Sequence, residues 1–267
     1  MISRPNQKRA LLELHKVLDR QTQVSGLSSL TQSISKVKNS ITLENAAIGF
    51  DANVLLRIAS HKKSSDIFDY LLTAHKPPII LPGQCIQEFW NNQLSAIDTV
   101  ASAMEKDFTN FTKRVQKVGV DFENYFEDFN NLIDKFSNDH GNVYTQKTLG
   151  ILTTFFDSIS KKAVVPYVPR SNFYNCAKVR KLTKTPPGYQ DDQNNFGDCF
   201  VWFDFLYGLK LSKLKKEEFS NVIFVSNEKK HDWRRGSTAH PILLAEVKAL
   251  FDIDFEIWNL DELAAGI

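Results

Sequence analysis

The chain has 267 residues, 42% of them hydrophobic and 24% charged, which suits one α/β domain with insertions and a sizeable core. A formal net charge of +2 permits a nucleic-acid partner without arguing for one, since only a clustered basic face would do so. Three widely spaced cysteines (Cys85, Cys176, Cys199) exclude a disulfide framework and a CxxC zinc site, no apolar run is long enough to cross a bilayer, and the polar, basic start carries no secretory signal, so the expected setting is a reducing cytoplasm.

Residues Pro5 to Arg20 read as a helix, with Leu11, Leu12, Leu14, Val17 and Leu18 as its apolar stripe. Leu27, Leu30, Ile34, Val37 and Ile41 recur at three- and four-residue spacing and predict a second amphipathic helix over Ser25 to Ile41. Residues 1–45 thus form an N-terminal helical extension. It is expected to pack on the protein's own core, with a second copy or a partner protein docking there as the alternative.

The stretch Ile48-Gly49-Phe50-Asp51-Ala52-Asn53-Val54-Leu55-Leu56 reads as a short buried strand that ends at Asp51 and hands over to a helix. An acid at the C-terminal end of a parallel strand sits where open α/β sheets place their ligands. A lone carboxylate there must be paired, hydrogen-bonded or bound to a metal; capping the next helix is its plainer role. Helical patterns follow to His75, and Pro77 and Pro78 break them. Ile79-Ile80-Leu81 is a second buried strand, and Pro82 opens a helix carrying Gln84, Cys85, Gln87 and Glu88.

From Asn91 onward, Leu94, Ile97, Val100, Met104, Phe108 and Phe111, then Phe122, Phe126, Phe129, Ile133 and Phe136, keep helical spacing. They predict an aromatic helical insertion over about residues 91–162. Val164 to Asn195 holds five Pro or Gly residues, Pro166, Pro169, Pro186, Pro187 and Gly188, among basic ones. It reads as a long, partly basic connection leading to Gly197-Asp198. Asp198 falls in the first turn of a nearly all-apolar helix, where the dipole favours a carboxylate. Val222 to Val225 is the clearest strand; Pro241 opens a helix, Phe255 to Trp258 is a last strand, and Asn259 starts a closing helix. Strands alternating with helices argue for a parallel sheet, so the polar residues after successive strands converge on one edge.

Taken in order, Phe50-Asp51-Ala52-Asn53, Leu81-Pro82 through Glu88-Phe89, Pro186-Pro187-Gly188-Tyr189, Gly197-Asp198, Trp202 and Val222 through Trp233 resemble the motifs of PIN-like nucleases. The likeness is to the bacterial branch with a long helical insertion, over roughly residues 46–265, within a domain of residues 46–267. It implies a three-layer α/β/α sandwich with a central parallel sheet, and metal-dependent phosphodiester hydrolysis, usually of RNA. It carries the acidic roles onto Asp51, Glu88 and Asp198. Carboxylates about 4 Å apart repel by about 4 kcal/mol at an effective dielectric near 20, so such a cluster needs a proton or a cation. Mg²⁺ or Mn²⁺ suits oxygen ligands.

Two positions depart from the family's pattern. Asn227 stands where an acid often follows the fourth-motif strand, and Asn91, Asn92 and Gln93 where a basic residue often follows the second acid. Asn227 is expected to offer its carbonyl oxygen to the metal, and Asp232 to stand in as a further catalytic acid. Lys229, Lys230, Arg234 and Arg235 are expected to hold the backbone of RNA or single-stranded DNA. A role in bacterial defence or as a toxin is suggested by the resemblance alone. The competing reading is a degenerate PIN-like fold that binds nucleic acid or protein without catalysis. A haloacid-dehalogenase-like phosphohydrolase would need a second Asp where Asn53 stands.

Overall fold

Ala46-Ala47-Ile48-Gly49-Phe50 carries no polar side chain, is buried at every position, and forms β1 in the middle of a parallel sheet. The computed structural model describes residues 2–35, 41–91, 146–236 and 238–267, with 107, 110, 111, 113, 114 and 131 between them. Two compact units divide the chain: Met1–Phe89 with Asp157–Ile267, and Trp90–Phe156. The expected helical insertion lies for the most part outside the described residues; helix Gln146–Ile159 is its best-described part.

The fold is an α/β/α sandwich. Its sheet has the order β2 (Ile79–Ile80), β1, β3 (Asn221–Val225), β6 (Asp254–Trp258), all parallel. The chain passes from β1 to β2 on one side and then to β3 on the other. The switch in strand order therefore lies between the C-terminal ends of β1 and β3, where such sheets open a crevice. Beyond β2 the ladder continues through Val164 to Pro166, whose carbonyls accept from Leu81 and Gly83.

Side chains alternate across the sheet, as strand geometry requires. Ala47, Val222, Phe224, Phe255 and Ile257 join one core cluster with the helix Gly197–Leu214, in which every residue from Cys199 to Leu209 is buried. Gly49 makes this close contact possible: a Cβ there would lie 2.3 Å from the Phe205 ring. A helix apolar all round belongs inside, and this one does. The first helix, Arg4–Leu18, adds Ala10, Leu14 and Leu18 to the same cluster.

Several sequence expectations need correction. The second helix stops at Ile34, and its apolar stripe faces outward: Leu27 is 79% and Ile34 70% exposed, while Ser29 is buried. The helix lies along Pro241–Phe251 with its small residues inward. The connection from Val164 to Asn195 contains the helix Arg170–Leu182. Phe173, Cys176, Ala177 and Arg180 form its buried face, a helical spacing hidden by the prolines and by a charge in the fourth position. Arg234–Arg235 (β4) and Thr238–Ala239 (β5) pair as a small antiparallel hairpin, which no sequence pattern between Val225 and Pro241 indicates. Among the described residues no helix is long and apolar enough to cross a membrane.

Candidate active site

β1 ends one residue before Asp51, whose N–H still donates to the Val225 carbonyl of β3 at 3.0 Å. Its carboxylate is buried in the crevice between the two strands. Oδ1 accepts from the Ala52 N–H at 2.7 Å and Oδ2 from the Ser226 hydroxyl at 2.6 Å. Burial pushes its pKa up, against the pull of those two donors. Asp51 thus caps the helix Ala52–Leu55 and faces the crevice at once.

Glu88 comes from the helix that starts at Gly83. The Gln84 side chain holds its Oε1 at 3.0 Å, and burial raises its pKa to about 7, with Asp51 and Asp191 adding repulsion. A Cβ on Gly197 would lie 2.6 Å from that same oxygen. The glycine therefore lets the Glu88 carboxylate reach the start of the helix that carries Asp198. Asp198 Oδ2 accepts from the Trp233 indole at 3.0 Å and from Lys230 at 3.2 Å. Burial raises it also to about 7, helped by Asp191 and Asp51 and opposed by Lys230. The three acids of the resemblance thus share one electrostatic neighbourhood at the C-terminal edge of the sheet.

Asp191 was not singled out from sequence, yet it joins them. Its Oδ1 pairs with Lys230 Nζ at 2.6 Å, and its Oδ2 is buried without a hydrogen-bond partner. The available signal was an acidic pair, Asp191-Asp192, shortly before Asp198 in a Gly/Pro-bearing loop. Lys230 is not a free surface cation. Its ammonium lies among Asp191, Asp198 and Glu228 at 2.6, 3.2 and 3.5 Å. Burial would lower its pKa, but these carboxylates outweigh it and the net shift is upward.

Asp204 anchors the frame. It is wholly buried, takes the N–H groups of Gln84 and Val168, and holds Arg170 through two bonds of 2.8 Å. It thereby fixes the Glu88 helix on the Asp198 helix. A lone acid in an apolar helix was the sequence signal, because such a charge must find a partner. Trp233 is locked in the same way, stacked on Phe224 with centroids 5.3 Å apart.

Three expected site residues are placed elsewhere. Asn227 Oδ1 accepts from the Leu260 N–H at 3.1 Å, so its carbonyl serves the closing helix rather than the crevice. Asp232 is buried at the base of the loop 186–190, where Oδ2 accepts from Gly188 at 2.8 Å and Gln190 at 3.4 Å. It latches the loop that carries Asp191. The guanidinium of Arg234 is bound to the Glu228 and Ile257 carbonyls and to Glu262. Lys229 and Arg235 are exposed.

Among the described residues no group of three or more His, Cys, Asp or Glu is ready to hold a metal ion as it stands. The donor set is nevertheless of the kind a hard cation takes, carboxylate oxygen throughout. Two of its carboxyls are held near neutrality by burial, and the Asp191 Oδ2 is an unsatisfied buried acceptor. The model of a family described as "PIN like domain" matches residues 47–243. No curated protein and no solved structure matches the chain.

Proposed function

Because the chain belongs to the PIN-like domain family, we propose that it is an endoribonuclease dependent on Mg²⁺ or Mn²⁺. The observation that carries this reading is the gathering of Asp51, Glu88, Asp191 and Asp198 around one crevice with too little positive charge to balance them. These four would hold the ion. When bound, it supplies an activated water and neutralises charge on the phosphate. Glu88 is held by Gln84 at one oxygen only, which leaves its second oxygen to face the ion's water and take its proton. Asp204 and Trp233 keep Glu88 and Asp198 in register without touching substrate.

A single strand fits the surroundings. A cavity of about 600 Å³ is lined by the second helix (Leu30, Ile34), the start of the Pro241 helix with its cap His240, and Tyr189, His231 and Arg235 from the segments that also carry Asp191 and Lys230. Rings beside a cation suit stacked bases and a phosphate backbone. Lys229 and Arg235 take the grip first expected of four basic residues.

The test is cleavage of labelled RNA and single-stranded DNA, with Mn²⁺ or with chelator. RNA cut only with metal is the expected result. Asp51→Asn, Glu88→Gln, Asp191→Asn and Asp198→Asn should each lower the rate at least about a hundredfold, the scale on which loss of one transition-state stabiliser is felt. Wild-type rates in all four variants would remove the assignment. Cleavage of DNA alone would keep the site and change the substrate.

A further inference from the structure

Lys230 faces inward, and its backbone explains why. Its N–H donates to Glu228 Oε1 at 3.2 Å, and its carbonyl accepts from Trp233 and Arg234, which fixes the turn. Trp233 is in turn held by Phe224 and Asp198. The side chain therefore enters the acid cluster from a rigid base. An ammonium is a compact point charge with three donors, and here three carboxylates surround it.

Asp51 and Glu88 are not among its hydrogen-bond partners, and one oxygen of Asp191 stays unpaired although that side chain is only 10% exposed. The cluster therefore has unfilled capacity on one side and a protein cation on the other. At the end of β3 the position after Ser226 adds no acid to the crevice, because Asn227 is neutral and bound to Leu260.

We propose that the Lys230 ammonium permanently fills one cation position of the centre, so that the protein binds a single divalent ion through Asp51, Glu88 and the oxygens that Asp191 and Asp198 do not give to Lys230. This rests on the cluster being a divalent-metal centre. Lys230 is then a positioning residue that replaces a second ion with one fixed charge. Its removal leaves Asp191, Asp198 and Glu228 without a cation, and a second divalent ion enters.

Mn²⁺ titration by calorimetry on the full chain tests this, with electron paramagnetic resonance to detect paired ions. The forms compared are wild type, Lys230→Met, Lys230→Gln and Asp51→Asn. The polar Gln variant covers the case in which Met disturbs folding, which circular dichroism would reveal. Wild type should take one Mn²⁺, Asp51→Asn should bind at least tenfold more weakly, and both Lys230 variants should take two with a spin-coupled signal. One ion in both Lys230 variants, or two in wild type, overturns the assignment. No Mn²⁺ bound by any folded form would overturn the metal reading itself.

Discussion

Glu246 and Asp198 are both helix acids turned into the protein, and they are treated in opposite ways. Glu246 is fully buried and meets Arg180 through bonds of 2.7 and 3.2 Å, Arg20 at 2.7 Å, and the Trp202 indole at 2.7 Å. Its charge is fully answered. Asp198 shares one ammonium with Asp191 and Glu228, and its pKa rises to about 7. The same contrast holds between Asp204, clasped by Arg170, and Glu88, which has only an amide. Closed pairs hold elements together; the open cluster stores unsatisfied charge where a cation can enter.

The largest expected effect breaks a closed pair. Glu246→Ala strands Arg180 in the core and should cost about 3–5 kcal/mol of stability, measured by urea unfolding. Asp198→Asn, on the open side, should leave stability unchanged or raise it, because it removes repulsion. Equal losses in the two variants would erase the distinction.

The next effect is one of pH. Glu88 and Asp198 carry raised folded-state pKa values, each about 7, so between the ordinary carboxylate range and 7 the folded state binds more protons than the unfolded state. Stability must then fall as pH rises through that window, by up to about 1.4 kcal/mol per pH unit for each group. Without metal, Tm should drop from about pH 4 to about pH 7 more steeply in wild type than in Glu88→Gln/Asp198→Asn. Mn²⁺ should oppose the drop, since a cation favours the charged forms. A wild-type profile parallel to that of the double variant would show that these acids are not strained.

The smallest effect concerns the surface. Lys229→Ala and Arg235→Ala should each flatten the dependence of log affinity on log salt for single-stranded RNA, by about 0.7 for each phosphate left without its cation. Arg234→Ala should leave that slope alone and lower Tm, because its guanidinium serves Glu262 and two carbonyls. The reverse pattern would return Arg234 to the substrate surface.

What the sequence determined by itself is local. The runs at β1, β3 and β6 and the all-apolar helix from Cys199 were legible because burial and periodicity are properties of neighbouring residues. Asp51 and Glu88 could be placed near one edge because a parallel strand fixes the end at which its chain emerges. The antiparallel hairpin at Arg234 was not legible, since two-residue strands have no period to read. Tertiary structure alone decided the partners. Lys230 and Arg234 look equivalent in the chain, yet one lies among three acids of the crevice and the other on two carbonyls and the Glu262 carboxylate of the closing helix. Asn227 caps Leu260, Asp232 latches Gly188, and Arg180 occupies a position in its helix that reads as apolar because Glu246 waits opposite. A charge's role is set by what lies within a few ångströms of it, and for Arg180 that neighbour stands 66 residues away along the chain.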